Sequence, residues 1–183
     1  PHFPLIAPKE FYDLYDHLAL MPSKPRENPE HPWHRAMREC QIMDNFTPEK
    51  TRVALASYYG LVTFIDDLIG KILKVVEQEN LQGNTQIFYL SDHGDNIGER
   101  DFWGKSNFYE ESVGIPCIIK GPDIPEGKIC KTPVSLIDIH PTILQTAHIN
   151  SGTKPGTSLI EIANAADNPE RSVFSEYHAM GSA

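Results

Sequence analysis

The run Ile87-Phe88-Tyr89-Leu90 constrains the fold more than any other stretch. Four apolar, β-prone residues in succession, preceded by a turn signal at Gly83-Asn84, spell a buried strand over 86–90. A long segment of helical period leads into it. Apolar residues recur at three- and four-residue steps from Leu55 through Tyr58, Tyr59, Val62, Ile65, Leu68, Ile69, Ile72 and Leu73 to Val76. That is the spacing of one helical face. Thr47 suits the cap, Pro48 the first helical position, and Glu49 the dipole. The pattern predicts a helix over 48–80. Asp66 and Asp67 interrupt it, and adjacent helical residues do not converge. At least one of them is expected to face water or cap a backbone. A helix followed by a buried strand is the alternation of an α/β fold.

Past the strand the sequence turns polar at once, to Ser91-Asp92-His93-Gly94. Open α/β sheets bind ligands just outside the carboxyl ends of their strands. A carboxylate and an imidazole are both ligand types for a divalent cation. Lys105 follows, between Gly104 and Ser106. An isolated Asp-His dipeptide is more often a turn, and an isolated lysine a solvated surface cation. Their place after the strand supports a site in which Asp92 and His93 help hold a metal and Lys105 reaches the same place to hold an anion.

The flanking segments frame that centre. Residues 1–46 carry prolines at 1, 4, 8, 22, 25, 29 and 32, which forbid long regular elements. A short helix is expected from Lys9 to His17 and ordered, aromatic-rich loop elsewhere. Residues 91–114 read as loop with a short helix near Tyr109. Ile115–Ile119 reads as a second strand, residues 141–148 and 158–165 as helices, and Arg171–Tyr177 as a last strand. His31 and His34 flank Trp33 and are expected to pack within the loop. His17, His140 and His148 read as structural or exposed, and His178 follows the last expected strand.

Charge and cysteine usage exclude some classes. The net charge of −9 over 183 residues argues against a nucleic-acid surface, whose footprint is basic. No apolar run approaches the roughly 20 residues of a membrane span, and no signal peptide opens the chain, so no membrane partner is expected. Cys40, Cys117 and Cys130 form no CxxC and no disulfide framework. Cys117 is expected as a buried core thiol. The usage leans towards a reducing, cytoplasmic compartment and excludes neither periplasm nor secretion. The chain opens at Pro1 rather than Met, so a processed or truncated piece is expected.

The stretch SDHGDNIGERDFWGKSNFYEESVGIPCIIKGP resembles the metal and substrate loop of the type I sulfatases, in the alkaline phosphatase superfamily. PHFPLIAPKEFYDLY resembles their PHxP segment. IDDLIGKIL resembles the end of the helix before the metal strand, and VSLIDIHPTIL the later IDxxPT segment. The order is that of choline-sulfatase-like and arylsulfatase-like members, and almost the whole chain is covered. The resemblance implies an α/β fold: part of an alkaline-phosphatase-like sandwich with a mixed, mostly parallel sheet flanked by helices. It implies that residues 1–183 are the C-terminal portion of the catalytic domain, with 1–46 a Pro-rich substrate-side loop and 47–183 the α/β core.

Position by position, the resemblance gives Asp92 and His93 as metal ligands, with Ca²⁺ the expected ion. A histidine at 93 also admits Mn²⁺, because imidazole suits transition metals; Mg²⁺ is a further possibility. It gives Lys105 as binding a sulfate oxygen and assisting the leaving group, and His2 as contacting the sulfate or the leaving oxygen. The implied reaction is hydrolysis of a small-molecule or carbohydrate sulfate ester by a formylglycine nucleophile, made from Cys or Ser in C/S-x-P-x-R. The cysteines stand in CQIMD, CIIKG and CKTPV, none of which fits. The nucleophile and the other metal ligands are thus expected upstream, and the chain alone is expected to be inactive. Two alternatives stand beside this reading: a phosphonate monoester hydrolase or phosphodiesterase of the same superfamily, and a non-catalytic module that keeps the fold.

Overall fold

The computed structural model describes residues 1–16, 21–40, 46–150, 152 and 154–177. The chain forms two compact units, one of residues 1–79 and 93–114, the other of residues 80–92 and 115–183.

The first unit is built on α3, Pro48–Gln78. Its start is as expected: the Thr47 side chain accepts from the Lys50 N–H at 3.3 Å. Thr51, Leu55, Ala56, Ser57 and Gly60 form its buried stripe. Against them lies α1, Lys9–Tyr12. A Cβ at Gly60 would stand 3.0 Å from both the Ala7 Cβ and the Phe11 carbonyl oxygen, so glycine permits the close approach. The Phe11 and Phe64 rings lie 5.2 Å apart, and the Tyr15 and Thr63 hydroxyls are 2.7 Å apart. Burying Leu55 alone contributes about 2 kcal/mol.

By length and composition α3 is apolar enough to cross a membrane, with a window of mean hydropathy 1.3. Its middle, from Tyr59 to Phe64, packs on α1 and the turns that follow it. Asp66 is exposed, and Asp67 pairs with Lys71 at 2.6 Å, so the acidic interruption faces water.

Two expectations for residues 1–46 need correction. The regular helix at Lys9 ends at Tyr12 and runs out as turns to Asp16; His17 lies outside the described residues. The stretch read as loop holds a nine-residue helix, α2, Pro32–Cys40. Pro32 sits at its first position, where a missing N–H costs nothing, and no glycine or proline follows before Cys40. The last short helix of this unit, α4, is Glu110–Val113, beside Tyr109 as expected.

The second unit contains β1, Ile87–Leu90, and β2, Cys117–Lys120, paired antiparallel with Ile87 opposite Lys120 and Leu90 opposite Cys117. This is the one ladder among the described residues; parallel pairs are not among them. β2 begins two residues later than expected, because Pro116 has no N–H to give a ladder. β1 is half-buried rather than buried, and Ile118 on β2 is 62% exposed, since each strand has a single partner among the described residues. Cys117 is exposed, not a core thiol. Arg171–Tyr177 is not a strand; it makes no ladder with a described residue.

Helices α5, Ile139–Thr146, and α6, Leu159–Asn164, complete this unit. Their common anchor is Asp138, fully buried. Its carboxylate accepts two bonds from the Arg171 guanidinium, at 2.7 and 2.9 Å. It also accepts from the N–H of Ser135 at 2.9 Å and of Thr157 at 2.8 Å. Burial pushes this carboxyl up, but Arg171 and the two N–H groups outweigh it and hold it below the usual carboxylate range.

Candidate active site

The loop that leaves β1 is fixed at its first residues. The Gly94 N–H donates to the Ser112 carbonyl at 2.8 Å. A Cβ at Gly94 would lie 2.0 Å from the Glu111 carbonyl oxygen, so no other residue fits there. Phe102 and Trp103 are buried beneath the loop. Within this loop four non-glycine residues have positive φ: Ile97 at 41°, Arg100 at 52°, Asp101 at 59° and Ser106 at 87°. Each such position costs on the order of 1 kcal/mol or more, and such strain gathers at functional sites.

This loop brings three of the four expected site residues together. The Lys105 Nζ stands 2.7 Å from His93 Nε2 and 3.0 Å from His2 Nε2. The two imidazole rings meet edge to face, 5.8 Å between centroids. His93 Nδ1 lies 2.7 Å from the Gly94 carbonyl, and His2 Nδ1 lies 3.0 Å from the Phe3 carbonyl. A carbonyl only accepts, so in both rings Nδ1 carries the proton and Nε2 accepts from the Lys105 ammonium. An ammonium has three N–H donors. Two serve the imidazoles, and one is left for an anion. The fourth residue, Asp92, is exposed and belongs to the second unit; in the chain it immediately precedes His93.

The donor chemistry fits a divalent cation. His93 has its Nδ1–H tied to a backbone carbonyl, as a metal-ligating imidazole does, and its Nε2 faces the Lys105 ammonium, which a cation would have to displace. Asp92 supplies a hard carboxylate. No group of three or more His, Cys, Asp or Glu converges among the described residues.

Residues 21–40 are tied to the same loop. The N–H groups of Ser23 and Lys24 donate to the Glu99 carboxylate, Lys24 at 2.6 Å. Arg26 pairs with Asp101 at 2.5 Å. Lys24 and Arg100 both pair with Glu111. Burial raises the Glu111 carboxyl, but these two cations and a backbone N–H bring it below its usual range. His34, expected to pack, does so. Its ring lies 4.8 Å from that of Tyr109 and 5.6 Å from that of Phe102, and its Nδ1 is 3.0 Å from the Tyr109 hydroxyl. His140 and His148 are exposed, and His178 lies outside the described residues.

Sequence reasoning missed Asp95 and Asn96, which hold the Gly104 peptide. The Asp95 Oδ1 accepts from the Gly104 N–H at 2.9 Å and the Ile97 N–H at 2.8 Å. The signal was present in Asp95-Asn96-Ile97-Gly98, since Asp and Asn side chains bond backbone two residues on.

The sulfatase family matches residues 10–149. The chain belongs to the sulfatase family. The choline-sulfatase of Rhizobium meliloti is 31% identical over 191 residues, covering 100% of this sulfatase-family chain and 37% of the relative. The phosphonate monoester hydrolase SpPMH of Silicibacter pomeroyi superposes with a TM-score of 0.80 at 25% identity, over 97% of this chain and 37% of its own. BT4656, solved in complex with its substrate D-glucosamine-2-N,6-O-disulfate, superposes with a TM-score of 0.58 at 27% identity, over 80% and 32%. The chain thus spans about a third of each relative. The expected α/β sulfatase fold is the fold observed.

Proposed function

We propose that this chain supplies one side of the active site of a sulfuric ester hydrolase. The observation that carries the proposal is the Lys105 ammonium set between the Nε2 atoms of His2 and His93. Three groups that hydrogen-bond or carry positive charge meet at one point on a strained loop. Sulfuryl transfer places negative charge on the peripheral and leaving oxygens, and prearranged donors stabilise it there.

Asp92 and His93 would hold a divalent cation, Ca²⁺ in the first instance and Mn²⁺ or Mg²⁺ as alternatives. When bound, it would supply Lewis-acid charge to the sulfate oxygens. A formylglycine would supply the attacking oxygen; none of the three cysteines stands in a C/S-x-P-x-R context, so it would belong to another segment of the protein. Lys105 binds a sulfate oxygen through its third N–H. His2 holds its Nε2 towards the leaving oxygen, with its ring fixed by Nδ1–H on the Phe3 carbonyl. As the S–O bond breaks, the leaving oxygen takes a proton from the Lys105 ammonium, which is left as the neutral amine. The substrate is a small-molecule or carbohydrate sulfate ester, a reading supported by the similarity to a choline-sulfatase and to BT4656, solved with a disulfated glucosamine.

Assay of the whole protein on matched sulfate, phosphate and phosphonate esters tests this. Preference for the sulfate ester with loss on Lys105→Ala is expected, and the isolated chain should show no turnover. A phosphonate preference would favour the second reading, for which the likeness to SpPMH speaks. No turnover of any ester by the whole protein would leave a binding module.

A further inference from the structure

Lysine is a flexible four-carbon stem with a charge at its tip. Where that tip reaches depends on how firmly its base is held. Lys105 follows Gly104, and Gly104 is held through both its N–H and its carbonyl. Its N–H donates to Asp95 Oδ1 at 2.9 Å. Its carbonyl accepts from the Asn96 backbone N–H and from Asn96 Nδ2, each at 2.7 Å. Asn96 is fully buried; its Nδ2 and backbone N–H are both spent on Gly104, while its Oδ1 has no partner among the described residues. Gly104 has φ at 71°. A Cβ there would meet nothing within 4 Å, so glycine is needed for the backbone angle and not for space. Ser106, on the other side of Lys105, is also left-handed, at 87°. A loop in this conformation keeps its shape only where its surroundings over-determine it, and here Asp95 and Asn96 do so.

We propose that Asp95 and Asn96 are positioning residues for Lys105. By fixing the Gly104 peptide they aim the ammonium at the point where His2 Nε2 and His93 Nε2 meet. The inference rests on the reading above, in which Lys105 holds the anion.

Nuclear magnetic resonance of the 183-residue chain, labelled with ¹⁵N-lysine and titrated with inorganic sulfate, tests it. In the wild type the Lys105 ammonium is expected to give a resolved, slowly exchanging signal that shifts as sulfate is added. Asp95→Ala and Asn96→Ala should each lose that signal and weaken the sulfate response about tenfold, the worth of one to two hydrogen bonds. The other lysine signals and the melting temperature report whether each variant is folded. Asp95→Asn keeps an accepting oxygen and should restore both readouts, which the carboxylate charge alone does not predict. If Asn96→Ala does not fold, the two Asp95 variants decide.

A folded Asp95→Ala with the wild-type Lys105 signal overturns the proposal. So does an Asp95→Asn as impaired as Asp95→Ala. Lys105→Met separates the two claims. If the wild type ignores sulfate, or the Lys105→Met variant binds it equally well by the shifts of His2 and His93, the anion reading fails. The Lys105 signal in the Asp95 variants still decides the positioning role.

Discussion

Lys105 Nζ lies 2.7 Å from His93 Nε2 and 3.0 Å from His2 Nε2, so one ammonium joins two imidazoles that are far apart in sequence. Each imidazole is oriented by its own neighbour's backbone carbonyl, and the lysine by the loop behind it. An anion arriving here meets a charge already in place, with little reorganisation left to make.

Replacing Lys105 by alanine in the whole enzyme should lower kcat for sulfate ester hydrolysis by about 10² to 10³-fold, the effect typical of one lost donor to developing charge. Lys105→Arg should recover only part of this. A planar guanidinium does not reproduce a point charge between two Nε2 atoms. Steady-state kinetics of the three proteins decides; an unchanged kcat in Lys105→Ala would remove Lys105 from the site.

Metal binding should depend on both Asp92 and His93, and should be weak in this chain alone, because no group of three or more His, Cys, Asp or Glu converges among the described residues. Calorimetric titration with Ca²⁺ or Mn²⁺ is expected to give little heat. Tight binding by the wild type that disappears in Asp92→Ala would contradict the half-site view. In the whole enzyme His93→Asn should shift preference from Mn²⁺ towards Ca²⁺, since it exchanges an imidazole for a hard oxygen ligand. Competition between the two metals in an activity assay reads this directly.

The parts of the fold written in local pattern were legible. α3 and β1 follow from a 3.6-residue period and a four-residue apolar run, and both stand where expected. Lys105 was legible as a candidate because a glycine and a serine flank it after a strand, and the structure sets it beside His2 and His93. What failed depends on partners. The burial of Cys117 and a strand at Arg171–Tyr177 were inferred from apolar or β-prone residues alone, but a strand needs a neighbour and a core needs a cover. α2 was missed because prolines were counted without asking where each falls relative to a helix start. Asp95 and Asn96 were missed because their role is to bond the backbone at Gly104, which no apolar period reveals.

Arg171 should matter to the second unit far more than its place in an irregular segment suggests. Its guanidinium is the counter-charge to a fully buried carboxylate. Removing one partner of a buried pair strands the other, at a cost of about 3 kcal/mol or more. Arg171→Ala is therefore expected to lower the unfolding free energy of the second unit by that much, read from its denaturant transition. Arg171→Lys should be intermediate, because one ammonium does not match a bidentate fork. A shift below about 0.5 kcal/mol, the range of ordinary surface substitutions, would show that the Ser135 and Thr157 N–H groups suffice.

The pH dependence of stability should have two separable arms, one in each unit. Asp138 is held below the ordinary carboxyl value of 3.8. A depressed acid contributes stability that is present above its unfolded value and lost as pH falls through the folded one. The second unit should therefore weaken below about pH 4. Arg171→Ala should abolish most of this arm by removing the chief partner. Tyr109 is the opposite case. Burial, then the hydrogen bond and charge of Glu27, push its hydroxyl from 10.0 up to about 12, against the pull of Arg100 and Arg38. A raised group contributes stability that is full below its unfolded value and lost as pH rises through the folded one. The first unit should therefore weaken between pH 10.0 and about 12. Trp33 and Trp103 both lie in the first unit, so tryptophan fluorescence follows this alkaline arm alone. Tyr109→Phe should flatten it. A fluorescence midpoint that falls equally in wild type and Tyr109→Phe would assign the alkaline loss to other groups.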